Sequence, residues 1–127
     1  MILRFSWGTQ PQLSRMQKIA AGIKNSGGTT DKKLAAILQK ICDLVSYNEE
    51  AAAASDYDMN AWGIIWVFDD DPETKVVCEG YAKAFQYLCD QVFDSSELTC
   101  YTVTGTMGGG TSEGPHMWNI VSKNGLN

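Results

Sequence analysis

From Val76 through Leu88 and on to about Val92 the chain places Cys78, Ala82, Phe85 and Cys89 on one face at helical spacing, so this stretch is expected to be a helix with a cysteine in its first turn. A helix start leaves backbone N–H groups without partners and carries a partial positive charge, an environment that favours a thiolate and prepares a nucleophile. The sulfur rides on the face that packs inward, so it is expected at the edge of a core. A helix cysteine taken alone is more often a small buried hydrophobe. Cys78 therefore needs a partner elsewhere in the chain before it carries chemistry.

At 127 residues and 44% hydrophobic, the chain can bury one moderate core, and residues 1–127 are expected to form a single domain. The 10 Lys and Arg residues are scattered and the net charge is -5, which argues against a nucleic-acid partner or an anionic lipid surface. No apolar run approaches the roughly 20 residues of a membrane span. Residues 1–7 are too short and interrupted for a signal peptide. Of the 4 cysteines, Cys42 and Cys89 fall in helical patterns and Cys100 in a strand pattern, so these are expected to be buried free thiols. A single histidine and the lack of any C-x-x-C pair deny a structural zinc site its ligand spacing, and neither metal nor cofactor is expected.

Two amphipathic helices are expected ahead of the Cys78 helix. The first follows Pro11, carries Leu13, Met16, Ala20 and Ile23, and stops at Gly27 and Gly28. The second starts at Thr30 and Asp31, which offer a side-chain cap, and runs through Leu34, Ile37, Leu38, Ile41, Leu44 and Val45 to about Tyr47. Met59, Trp62, Ile65, Trp66 and Phe68 crowd around Gly63 as a short buried helix. The acidic run at residues 69–73 lacks the spaced ligands and glycine of a calcium loop and reads as a solvated turn.

After the Cys78 helix, residues 98–104 suit a strand. The glycine-rich residues 105–114 lack the lysine of a phosphate loop and read as a flexible connection. A second strand is expected over residues 116–122, with His116, Trp118 and Ile120 on the face toward the helix and Asn119 on the opposite face. Asn124 and Gly125 then give a hairpin signal that should feed a further strand. An unpaired hairpin half invites strand exchange, so a strand-exchanged homodimer is a further expectation.

The only histidine thus opens a strand able to pack across from Cys78. Imidazole titrates in the range needed to take a proton from a thiol and return it to a leaving amine. The motif Val77-Cys78-Glu79-Gly80-Tyr81-Ala82 with Phe85, Leu88, Cys89 and Asp90, followed by His116-Met117-Trp118-Asn119-Ile120-Val121, resembles the transglutaminase-like domains common in bacterial proteins. The similarity extends upstream to Ile41-Cys42-Asp43-Leu44-Val45-Ser46-Tyr47.

What the resemblance implies is an α+β, papain-like core with helices packed on an antiparallel sheet. Cys78 is then the nucleophile of a thioester mechanism, His116 the general base and acid, and the substrate a protein or peptide amide. Hydrolysis is favoured over crosslinking, and a cell-surface or secreted setting fits the family. The Cys78 N–H is one expected oxyanion donor, with Trp62 and Trp66 as side-chain candidates for a second, although paired tryptophans also fill cores.

The family's orienting aspartate belongs on the strand after Gly125, and no aspartate follows Asp94. Residues 1–127 are on this reading a fragment incomplete at its C-terminal end, weak or inert where the complete protein is competent. Loss of the orienting acid costs a serine enzyme about 10⁴ in turnover. The rival from another class is a degenerate domain that binds peptides or cell-surface polymers without chemistry.

Overall fold

The computed structural model describes residues 10–49, 67–69, 71, 73–107 and 114–123. In chain order these form α1 (Gln10–Lys24), α2 (Thr30–Leu44), β1 (Ser46–Tyr47), β2 (Lys75–Val76), α3 (Cys78–Val92), β3 (Leu98–Met107) and β4 (Gly114–Lys123). β1 pairs with β2 in parallel and β3 with β4 in antiparallel, so the described fold is α+β, with helices against a short antiparallel sheet. No helix among the described residues is long and apolar enough to cross a membrane.

The α3 helix is the centre of the arrangement and touches α1, α2, β2, β3 and β4. Its inward side chains Ala84, Leu88, Cys89 and Val92 join Ile37 and Ile41 of α2, Met16 and Ala20 of α1, and Leu98 and Cys100 of β3 in one core. Full burial of a side chain such as Leu88 contributes about 1.5–3 kcal/mol against exposure. Cys89 and Cys100 meet inside this core. The Cys89 thiol is pushed far above its ordinary range by hydrogen bonding to Cys100 and by burial.

Each helix stops for a local reason. At the end of α1, Asn25 N–H bonds the Ala21 carbonyl at 3.0 Å, and Gly27 adopts φ 77, the left-handed value that lets the chain leave the helix. Leu13 stands outside the inward stripe, being 44% exposed. The α2 cap is Thr29 rather than Thr30 or Asp31, its hydroxyl accepting from Lys32 N–H at 3.2 Å. Thr30 instead donates to the Glu97 carboxylate at 2.6 Å, tying the start of α2 to the turn before β3.

The α2 helix ends at Leu44, short of the expected Tyr47, because the next residues find backbone partners elsewhere. Ser46 N–H donates to the Thr74 carbonyl at 3.3 Å and Asn48 N–H to the Val76 carbonyl at 2.8 Å. Cys42 is exposed, correcting its expected burial. The inward stripe of α2 is Ile37 and Ile41, and the residue after Ile41 is turned about a quarter of the way round the helix.

The acidic turn uses its own carboxylates. Asp69 accepts from Asp71 N–H at 3.0 Å, and Asp71 accepts from Glu73 N–H at 2.9 Å. Of the expected helix around Gly63, only Val67 and Phe68 lie within the described residues, and both are buried.

β3 and β4 are longer than expected and extend into the glycine-rich connection at both ends, with Met107 opposite Gly114. Gly105 belongs to β3, opposite His116. A Cβ on Gly105 would lie 2.7 Å from the Trp118 ring, so only glycine lets that indole cross the strand here.

Candidate functional site

Cys78 is the first residue of α3 and is preceded by Val77, which is extended and supplies no capping side chain. The first helical bonds to close run from Gly80 and Tyr81 N–H to the Val77 carbonyl, at 3.0 and 3.3 Å. The Cys78 N–H therefore lies outside the helix's own ladder. The Tyr47 phenol lies close enough for Cys78 to act on it electrostatically.

Sequence reasoning missed Tyr47 by leaving it on the end of α2. The β-prone run Val45-Ser46-Tyr47 was the available signal. The parallel pairing sets Tyr47 beside Val76, two residues ahead of Cys78. Its ring stacks on Tyr81 with centroids 5.9 Å apart and planes at 22°, and the Tyr81 hydroxyl donates to the Val45 carbonyl at 3.4 Å. Burial first, and next the electrostatic influence of Cys78 nearby, raise the Tyr47 phenol above its ordinary range. The phenol thus keeps its proton in neutral solution.

These groups border a cleft of about 550 Å³ between α2, β1, α3 and β4. Cys78 and His116 both line it, together with Tyr47, Tyr81, Met117 and Trp118. Leu38, Ile41, Phe85 and Val121 make the rest of the lining largely apolar. Leu38, although 55% exposed, faces this space. Trp62 and Trp66 lie outside the described residues.

The strand facing differs from expectation. Met117 is buried against Cys78 and Ala82, and Asn119 donates to the Ala82 carbonyl at 2.9 Å, so the Met117, Asn119 and Val121 face packs on α3. His116, Trp118 and Ile120, expected to face the helix with Asn119 on the far side, instead share the other face of the strand, with Trp118 and Ile120 39% and 38% exposed. Alternation fixes which residues share a face but not which face looks inward. Here the register decides it: buried Cys100 pairs with Val121, and Thr102, bonded to Gln86, pairs with Asn119.

His116 reaches the cleft from its position near the start of β4, level with the start of α3. Its half-buried ring stacks on Trp118, with centroids 5.8 Å apart and planes at 21°. Trp118 in turn occupies the space left by Gly105. Asn119 also bonds Thr102 at 3.2 Å, so the strand carrying His116 is pinned to both α3 and β3.

Comparison with protein-family models finds no match, and no curated protein matches this chain. The chemistry must be read from the residues themselves. Among the described residues no three His, Cys, Asp or Glu side chains gather where they could hold a metal ion. Glu79, next to Cys78, is 1% exposed with its carboxylate 3.6 Å from the Lys83 ammonium, an acid at a helix start where the partial positive charge favours it. A thiol, an imidazole and a neutral phenol thus share one apolar cleft, a set suited to attack on an acyl carbon.

Proposed function

We propose that this chain carries the nucleophile and base of a cysteine-dependent acyl-transfer enzyme with a papain-like, transglutaminase-like core. The observation that carries the reading is that Cys78, at the start of α3, and His116, near the start of β4, line the same cleft. In the first step the Cys78 sulfur bonds to the carbonyl carbon of a peptide or glutamine amide, and the thiol proton passes to His116. The carbonyl electron pair moves onto oxygen and returns as the C–N bond breaks, the leaving amine taking the proton from His116. Water then attacks the thioester, His116 taking its proton and passing it to the departing sulfur. Hydrolysis is preferred to crosslinking, with an amine as the alternative acceptor.

The apolar lining also supports a second reading, a domain that binds peptides without chemistry. One experiment separates the two. The protein with Cys42→Ala, which removes the exposed competing thiol, is treated with p-nitrophenyl acetate, whose leaving group needs no acid assistance. The adduct is then mapped by peptide mass spectrometry. The enzymatic reading expects a single acetyl group on Cys78, lost on standing as water attacks. No acetylation at Cys78 leaves the binding domain as the account.

A further inference from the structure

Resting on the thioester reading above, we propose that the Tyr47 hydroxyl is the side-chain donor that holds the oxyanion formed at Cys78. Three observations converge on it. The parallel pairing sets Tyr47 beside Val76, two residues ahead of Cys78, so the hydroxyl is held next to the start of α3 with a hydrogen to give. Tyr47 lines the same cleft as Cys78 and His116, which puts that hydrogen on the substrate side. The ring is fixed from two directions, by strand pairing at Val76 and by stacking on Tyr81.

The chemistry follows from that placement. When sulfur adds to the carbonyl carbon, the C=O pair becomes a charge on oxygen that needs a donor already in place. The phenol proton stays on Tyr47 throughout and only its hydrogen bond shortens. The charge returns to the carbon as the leaving group departs, and Tyr47 is unchanged at the end of the step. The role is the one for which the sequence offered Trp62 and Trp66.

Tyr47→Phe keeps the ring and its stacking while removing the donor, and the test compares two reactions at the same sulfur. Acylation by p-nitrophenyl acetate passes through an oxyanion, whereas alkylation by iodoacetamide is a direct displacement at a saturated carbon and forms none. The proposal expects Tyr47→Phe to slow acylation about 10²–10³-fold and to leave alkylation of Cys78 unchanged. Affinity for a small aldehyde, which adds to the sulfur as a hemithioacetal, should fall alongside acylation. Equal acylation in wild type and variant overturns the proposal, as does an equal fall in both reactions, which would make Tyr47 a support for the thiol or the fold. A wild-type protein that is not acylated at Cys78 at all instead removes the acyl-transfer reading and this proposal with it.

Discussion

The Asn119 side-chain amide donates to the Ala82 carbonyl at 2.9 Å, joining β4 to α3 one helical turn beyond Cys78. The same nitrogen reaches the Thr102 hydroxyl at 3.2 Å, so one amide holds the helix and both strands of the hairpin in register. Met117, two residues before it, packs on Cys78 and Ala82, and His116 adjoins Met117. The placement of the imidazole at the cleft thus depends on a bond made three residues away.

Asn119→Ala removes both of these hydrogen bonds and the longer one to the Tyr101 carbonyl at 3.5 Å. It is expected to lower stability by about 1–3 kcal/mol, the sum of two bonds of ordinary net worth, and to slow acylation of Cys78 by loosening β4. Urea unfolding followed by circular dichroism measures the first effect and p-nitrophenol release the second. A variant as stable and as reactive as wild type would show that Asn119 holds nothing.

The Gly105 and Trp118 pair gives a sharper test of how His116 is held. Gly105→Ala puts a methyl group 2.7 Å from the indole unless the ring moves, and His116 stacks on that ring. The single substitution is expected to destabilise by about 1–3 kcal/mol through overpacking and to shift the His116 ring resonances in NMR. In a Trp118→Ala background the added methyl meets no indole, so Gly105→Ala should become nearly harmless. Additive effects of the two substitutions would contradict the contact.

The turn between α3 and β3 supplies a pH dependence. Asp94 accepts from the Ser96 N–H and from the Ser96 hydroxyl, both at 2.9 Å, and the backbone bond first, then the hydroxyl, holds its carboxyl below the usual range. A carboxyl lowered on folding adds stability that is complete above its unfolded pKa, about 3.9, and is lost as pH falls through the lower folded value. Asp94→Asn is therefore expected to melt below wild type at pH 6, with the gap closing toward pH 2. Thermal melts across that range check it, and a gap that widens on acidification would contradict the assignment.

Much of this fold was legible from the chain because helical periodicity reports burial directly. The helix expected from Val76 to about Val92 forms over Cys78–Val92, with Val76 taken by β2 and Val77 extended ahead of the helix, and the α1 and α2 stripes lie within a turn of expectation. The failures have local causes. Tyr47 leaves α2 because Ser46–Tyr47 pairs with Lys75–Val76, 29 positions further along; the β-prone run Val45-Ser46-Tyr47 signals a strand but not its partner.

The inward face of β4 was misread for a related reason. Two alternating sets, one led by Trp118 and Ile120 and the other by Met117 and Val121, are both apolar, and only pairing with β3 chooses between them. Cys42 shows the limit of composition: among apolar neighbours, it still lies on the outward side of α2. For the site, Cys78 and His116 stand out in the sequence by residue type, and the fold sets both at one cleft. The phenol at Tyr47 does not stand out, because its role follows from a strand pairing.

The measurement that bears most directly on the account is the rate of Cys78 acylation in a Cys42→Ala background, with and without His116→Ala. A working sulfur–imidazole pair predicts that His116→Ala slows the reaction about 10²–10⁴-fold, the usual contribution of a positioned general base, and that Cys78→Ala abolishes the adduct. Acylation at the same rate with and without His116 would contradict the pairing on which the proposed mechanism stands.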